Sequence, residues 1–512
     1  MKKILALILA LCMCLAVLVA CMDNNATNEE TGTKKPAASQ SESSSDDTDP
    51  DDTDPQETEP DDTDNGNEGE QGGNESTPEA KTIEIGSVAE WEALAKDGDP
   101  DKEDFLGKTV KLTANIDFGT ETATTLFKTF AGTFDGGNFT VKGKSASRMS
   151  LLANTLDGAT VKNLTVDGFA ISCPVDGAEN SSVIAANAMT KDVTFENITV
   201  KNCSIDADKA TAGNKGVGFI LGEAKSVNVV AKKITVTACE VTAANKNSSR
   251  VGGVVGFMLS AGLSTFEDIK VNMNTNAHAF TGGIVGLSYG TGNLNFSKIK
   301  VTGTFNSPGS TGGSETIGGI FGAKYNESAA AGESFVKNAF VDVKLYCTSN
   351  SGRAGAIGGY WYKGQNSSAN ITIENCYLKG EWSVRKDQTM RNRSGGIFGE
   401  YGAKNSTLTL KNVILEAAVD QTWSGSNVTP DVTKIGGSNS ALIINYENTK
   451  VDGVLSHVIA ATDCYTTIVS DKDGNALELP AGFTGITSDK TAAMVTYDAS
   501  GYVSEINAPE AS

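Results

Sequence analysis

Two histidines, His278 and His457, are all that this 512-residue chain offers to chemistry needing an imidazole. No His-Glu-x-x-His pair occurs, so zinc-peptidase chemistry is not carried here. A Ser-His-Asp relay would have to recruit one of the two. His278 lies in the polar stretch Thr275-Asn276-Ala277-His278-Ala279 and reads as a solvated loop residue, while His457 lies in the strand-like run Val454-Leu455-Ser456-His457-Val458-Ile459 and reads as structural. Gly286-Leu287-Ser288-Tyr289-Gly290 matches G-x-S-x-G, but a nucleophile elbow needs a helix after the serine, and Thr291-Gly292-Asn293 signals a turn. Walker and Rossmann glycine patterns are missing, and no cofactor is implied. Asp471-Lys472-Asp473-Gly474-Asn475 lacks the glycine spacing and closing glutamate of a calcium loop and reads as a hairpin turn, so no metal site is expected.

Glycan-cleaving enzymes need carboxylates paired at a fixed gap, or metal-binding carboxylates with a basic residue, on one sheet face. Glu196, Glu267, Asp268 and Glu374 are scattered over strand-like segments, and most are expected to face solvent. One region departs from this bland composition. Tyr360, Trp361, Tyr362 and Trp382 precede Arg385, Arg391 and Arg393, and with Arg353 this region holds four of the chain's six arginines. Rings and guanidinium groups in a loop over a rigid sheet can stack on sugars or clamp an anionic glycan. The plainer alternative is one aromatic in the core beside an ordinary charged loop. These seven residues are the candidate ligand-binding set. Nucleic acid is not expected, since neither the linker nor the folded part is basic.

The elements that would hold such a site are repeats. Gly252-Gly253-Val254-Val255-Gly256 returns as Gly282-Gly283-Ile284-Val285-Gly286, Gly318-Gly319-Ile320-Phe321-Gly322 and Gly395-Gly396-Ile397-Phe398-Gly399. A second phrase, Phe195-x-x-Ile198-x-Val200, returns at Phe266, Phe296 and Leu410. Counting from the first aliphatic of that phrase, units begin at Leu164, Ile198, Ile234, Ile269, Ile299, Phe340, Ile371 and Val413. Gly358-Gly359-Tyr360-Trp361 reads as a flawed copy of the first phrase. Units of this length with alternating aliphatics predict short strands stacked in a solenoid, with length changes confined to loops. A β-propeller would need longer four-stranded blades and its own signatures. Cys203 and Cys239 fall one unit apart. That spacing is compatible with a disulfide, but parallel side chains favour a stack of small buried groups.

Before the repeats, Ser87-x-x-Glu90 is a capping box, with Val88, Trp91, Leu94 and Ala95 on one helical face. Gly132-Thr133-Phe134-Asp135-Gly136-Gly137 reads as a turn between two strands. Helix and hairpin together suit an end cap.

The N-terminal end is different in kind. Lys2 and Lys3 precede an uncharged apolar run, Ile4 to Ala20, and Leu18-Val19-Ala20-Cys21 follows the pattern of an export signal. Residues 22–80 hold 19 acidic and two basic residues, including DDTDP units, for a charge of −17. Of the chain's net −21, only −6 falls on residues 81–512. A segment so poor in large apolar residues cannot offset its chain entropy and should be an extended spacer.

Leu18-Val19-Ala20-Cys21 resembles the lipobox of bacterial lipoproteins, which implies that Cys21 is acylated and holds the chain to a membrane. The Gly-Gly-Ile-Val-Gly phrases are similar to the GLUG motif of bacterial surface proteins, and Phe130-Ala131-Gly132-Thr133-Phe134-Asp135-Gly136-Gly137 resembles the phrase that often precedes their right-handed parallel β-helix domains. The resemblance spans roughly 105 to 440. It implies an all-β extracellular domain of the kind found in adhesin-like proteins. The expectation is therefore a signal peptide (1–21), a disordered acidic linker (22–80), an N-terminal cap (81–145), β-helix repeats (146–450) and a C-terminal cap (451–512). The expected role is binding of a glycan, host matrix or another surface protein, without catalysis. A polysaccharide lyase or glycoside hydrolase on the same fold, and a passive stalk, are the alternatives.

Overall fold

The computed structural model describes residues 81–96, 105–173, 180–208, 215–243, 249–260, 262–308, 315–326, 332–347, 352–363, 369–384, 393–402, 406–418, 444–446, 450–451, 454–455, 458–470, 476 and 478–509. Cys21, the acidic linker, Arg385, Arg391, His457 and the Asp471–Asn475 turn lie outside these residues. Residues 76–512 belong to one compact unit.

The chain is a parallel β-helix. Three parallel sheets, A, B and C, contain 19, ten and seven strands among the described residues. One coil shows the plan. Ser249–Gly252 lies in sheet C, Val255–Leu259 in sheet B and Leu263–Ala277 in sheet A. The next coil repeats it with Ala279–Gly282, Val285–Tyr289 and Asn293–Ser307, each paired in parallel with its predecessor.

The two sequence phrases map onto this plan with separate physical causes. In sheet A, alternation points Ile269 and Val271 into the core, where they stack between Ile234 and Val236 on one side and Ile299 and Val301 on the other. The glycine phrase turns the chain from sheet C to sheet B, where the two strands lie almost backbone to backbone. A Cβ on Gly252 would stand 2.0 Å from Val255 O, and one on Gly256 would stand 2.1 Å from Val217 N. Only glycine permits that approach.

Register corrects the repeat boundaries. Ile299 pairs with Ala339, Ala339 with Cys376 and Cys376 with Val413, so Phe340 and Ile371 are not the equivalent positions. Phe340 faces outward instead. Likewise Gly318 pairs with Gly355 and Phe321 with Gly358. The glycine phrase of that coil is Gly355-Ala356-Ile357-Gly358-Gly359, and Tyr360 is the residue that follows it, not a break within it. Cys203 and Cys239 do stack on adjacent coils as free, buried thiols. A hydrogen bond with Cys239, and then burial, keep Cys203 protonated well above the ordinary thiol range. Cys376, in contrast, aligns with Ile198-type positions.

Each long strand bends at a left-handed residue: Asn163, Asn197, Lys233, Asp268, Lys298, Asn338, Asn375 and Asn412. Where these are asparagines they join side chain to side chain, Asn197 Nδ2 donating to Asn163 Oδ1 at 2.9 Å and Asn412 Nδ2 to Asn375 Oδ1 at 3.1 Å. Outside the bend runs a ladder of alternating charge. Glu84, Lys111, Asp135, Lys162, Glu196, Lys232 and Glu267 succeed one another coil by coil, then Ser297, then Lys337, Glu374 and Lys411. Glu374 lies between two ammonium groups, 3.2 Å from Lys337 and 3.0 Å from Lys411. Its contact with Lys411 is the largest influence holding its carboxyl below the ordinary range. The acidic residues that look scattered in sequence are thus ordered by register.

At the N-terminal end, helix α1 (Val88–Lys96) starts on the expected capping box, with Ser87 Oγ accepting from Glu90 N at 3.2 Å and Gly86 N donating to Glu90 Oε2 at 2.7 Å. Its Trp91 plugs the solenoid, edge-on to Phe118 at 5.7 Å and Phe134 at 6.5 Å. The expected hairpin does not form. Thr133–Lys142 is one strand parallel to both neighbours, and Gly137 and Asn138, with positive φ, make a bulge rather than a reversal.

The C-terminal residues fold back along the outer face of sheet A. After Phe483–Gly485 adds a strand to the sheet, helix α2 (Ser488–Met494) and an antiparallel pair, Val495–Tyr497 with Val503–Ile506, pack over an outward strip of Phe340, Tyr377, Ile414 and Tyr465.

Candidate functional site

The residue after the last glycine of each phrase points out of sheet B. In successive coils these are Glu223, Phe257, Leu287, Ala323, Tyr360 and Glu400. Two residues on, Leu259, Tyr289 and Tyr325 form a second row. Sheet C adds Arg250, Phe280, Thr316 and Arg353, one coil after another. Because the glycine corner folds C close against B, these rows meet. Leu287, Ala323 and Tyr360, with Phe257, Phe280 and Tyr325, form an apolar cluster separate from the main core.

Ring geometry in this band is ordered. Tyr325 is edge-on to Tyr360 at 5.2 Å and to Phe280 at 5.9 Å, and stacks with Tyr289 at 6.2 Å. The half-buried rings are Phe257, Phe280, Tyr289 and Tyr325, while Tyr360 is 6% exposed and supports them from beneath. Each end carries an arginine lying over a ring. Arg250 lies over Phe257 at 4.1 Å and Arg353 over Tyr360 at 4.4 Å. Burial lowers the Arg250 pKa to about 10, and the charge of Glu223 opposes that shift. Arg353 Nε donates to Glu400, which is fully buried. Beyond Glu223, Asn180 Nδ2 donates to Asn187 Oδ1 at 2.7 Å and to Glu223 Oε2 at 2.5 Å.

The sequence-derived set divides accordingly. Tyr360 belongs to the band. Trp361 does not: it points the opposite way and is fully buried against Phe321 and Phe398. Alternation makes this unavoidable, since neighbours on a strand face opposite sides. Tyr362 stands in register with Tyr325, Trp382 with Leu345 and Arg393 with Arg353, and only their backbones are described. Phe257, Phe280, Tyr289, Tyr325 and Arg250 were not singled out in the sequence. The signal that would have found them is the position after each phrase's final glycine.

A second concave place lies where the C-terminal segment meets sheet A, a cavity of about 580 Å³ floored by Asp342, Lys379 and Glu416 in one row and Lys344 and Glu381 in the next. Its acids are largely engaged. Glu416 accepts from Thr491 Oγ1 at 2.6 Å, Ser488 Oγ at 2.8 Å and the Tyr377 hydroxyl, and lies 3.5 Å from Lys379. Burial opposes its charge, but these groups outweigh it and hold the carboxyl below its ordinary range. A carboxylate so held is a poor proton donor.

His278 is not solvated. It is 8% exposed, with Nδ1 2.7 Å from Glu315 Oε1, a residue delivered by the neighbouring coil. Ser307 Oγ donates to the other oxygen of that carboxylate, so the hydroxyl and the imidazole both engage Glu315. Ser288 of the G-x-S-x-G match is fully buried in mid-strand, in register with Lys324. Lys324 is itself 1% exposed, donates to Gly290 O at 2.9 Å, and is pushed by burial to a pKa of about 7. A serine beside a low-pKa lysine is reactive chemistry in principle, but both face the packed interior.

Among the described residues no group of three or more His, Cys, Asp or Glu is placed to hold a metal, and no helix is long and apolar enough to cross a membrane. The class these features define is a three-sheet parallel β-helix with an aromatic band on its outer B–C face. No protein-family model and no curated protein matches the chain.

Proposed function

We propose that this is a lipid-anchored extracellular surface protein, held to a bacterial membrane through Cys21, that binds a glycan in the manner of an adhesin. The observation that carries the binding part is the aromatic band between sheets B and C. Rings held on successive strands of a rigid sheet, outside the main core, present flat apolar faces at fixed spacing, and sugar rings stack on such faces. The anchoring part rests on the sequence of residues 1–21 and the acidic segment that follows. A host-matrix or surface-protein partner is the second reading for the same band.

A glycan array with the purified protein tests this directly, with Tyr325→Ala alongside. Glycan binding lost in the variant supports the proposal. Binding to matrix protein alone would move the assignment to the second reading, and no binding of either kind would leave a stalk. Metabolic labelling with a fatty-acid probe, compared with Cys21→Ala, tests the anchor. For the enzymatic alternative, the cavity over Asp342 and Glu416 is the place to look, and release of reducing ends that disappears in Glu416→Gln would overturn the non-catalytic reading.

A further inference from the structure

Resting on that proposal, we infer that the ligand of the B–C band is an uncharged, linear glycan segment lying along the solenoid axis. Arginine beside aromatic rings ordinarily suggests an anionic sugar, and here the geometry points elsewhere. Each guanidinium group has an aromatic ring on one side and a carboxylate acting on it from another. Arg250 lies over Phe257 and faces Glu223, and Arg353 lies over Tyr360 and donates to Glu400. The two arginines and two glutamates sum to zero charge, and Glu400 is fully buried. An acidic sugar would have to compete with a carboxylate already in place at either end. The arginines instead act as end-stops that fix the rings.

Between these ends the surface is apolar and runs across strands, not along them. Arg250 and Arg353 are three coils apart, about 14 Å at the spacing of paired strands, which suits a short linear oligosaccharide. Tyr289 and Tyr325 stand on consecutive coils with ring planes 28° apart, so consecutive sugars would meet nearly parallel faces. An uncharged chain with apolar ring faces fits this platform without displacing the Arg353–Glu400 ion pair or the charge balance at Arg250.

The test titrates the full-length protein with neutral linear oligosaccharides and, separately, with uronic-acid and sulfated oligosaccharides of equal length, at low and high salt. Neutral ligands should bind with affinity nearly independent of salt, since screening acts on charge. Tyr325→Ala should weaken binding about tenfold, the equivalent of about 1.4 kcal/mol. Tyr325→Phe, which keeps the ring, should restore it, and retained native circular dichroism in both variants excludes unfolding. If acidic glycans bind best, with affinity falling as salt rises and lost in Tyr325→Ala, the band is a glycan site but the uncharged class is wrong. Neutral binding indifferent to Tyr325→Ala and Phe280→Ala would place the site elsewhere. Absence of binding across the whole panel would defeat both the inference and the glycan proposal beneath it.

Discussion

The hydroxyl of Tyr502 donates to the carboxylate of Asp268, 234 residues earlier in the chain. Asp268 occupies the left-handed bend of its strand, where five other coils carry asparagine and the two adjacent ones lysine, and it answers to the C-terminal segment. The ammonium of Lys270 sits 5.1 Å over the same tyrosine ring. Burial, and then Asp268, push the phenol far above its ordinary range, so it remains a donor.

Tyr502→Phe should therefore loosen the end of the strap without loosening the coil beneath. A lost hydrogen bond to a charged acceptor is worth about 1.5–3 kcal/mol. Hydrogen exchange in 495–506 should accelerate at least about tenfold, while Leu263–Ala277 keeps its protection. Unchanged exchange in 495–506 would show that the bond contributes nothing.

The strap should also respond to acid. Glu416 has a folded pKa below its unfolded value, so its contribution is complete above the unfolded pKa of about 4.3 and is lost as pH falls through the folded one. Protection of amides in 486–497, corrected for the intrinsic pH dependence of exchange, should fall in the native protein as pH drops below about 4.3. Glu416→Gln should be looser at neutral pH and should lose that acid dependence. A parallel pH profile in the two proteins would assign the latch to another group.

Trp361 and Tyr325 should separate stability from binding. Trp361→Ala opens a large void in the core and should cost about 3–5 kcal/mol in denaturant titration, with ligand affinity of the folded fraction unchanged. Trp361→Phe should recover most of that loss, because the indole N–H has no hydrogen-bond partner among the described residues. A Trp361→Ala protein of normal stability that no longer binds would reverse the assignment.

Lys324 should make stability depend on alkaline pH. Its folded pKa of about 7 lies far below the unfolded value near 10.4. Between these the unfolded chain binds the extra proton, so stability rises with pH over that window. Lys324→Met should remove the rise and be more stable near pH 6 by on the order of 2–4 kcal/mol. Equal slopes for the two proteins from about pH 7 to 10 would refute this.

Much of the architecture was legible because it is local. The glycine phrase, the Ile-x-Val alternation and the Ser87–Glu90 box each report a constraint met within a few residues. Register was less legible. Phe340 reads as a core residue in its own strand, yet it is apolar because a segment 150 residues later covers it. Two left-handed positions five residues apart, as at Asn197 and Asn202, let Ile371-Thr372-Ile373-Glu374-Asn375-Cys376 imitate the wrong one. His278 looked solvated because its partner Glu315 comes from another coil. The site failed in the same way. Consecutive aromatics stand out to the eye, but on a strand they split between two faces, and the aromatic row is assembled from single residues about 30 to 40 positions apart.

The charge ladder also limits how such a solenoid can change length. Signs alternate with a period of two coils, so inserting or deleting one charged coil would set like charges side by side at the junction, whereas a pair of coils would slip in unnoticed. A neutral rung lifts that restriction. Ser297 stands where the alternation reverses phase, with Glu267 before it and Lys337 after it, and it is the place where this chain could gain or lose a single coil without electrostatic penalty.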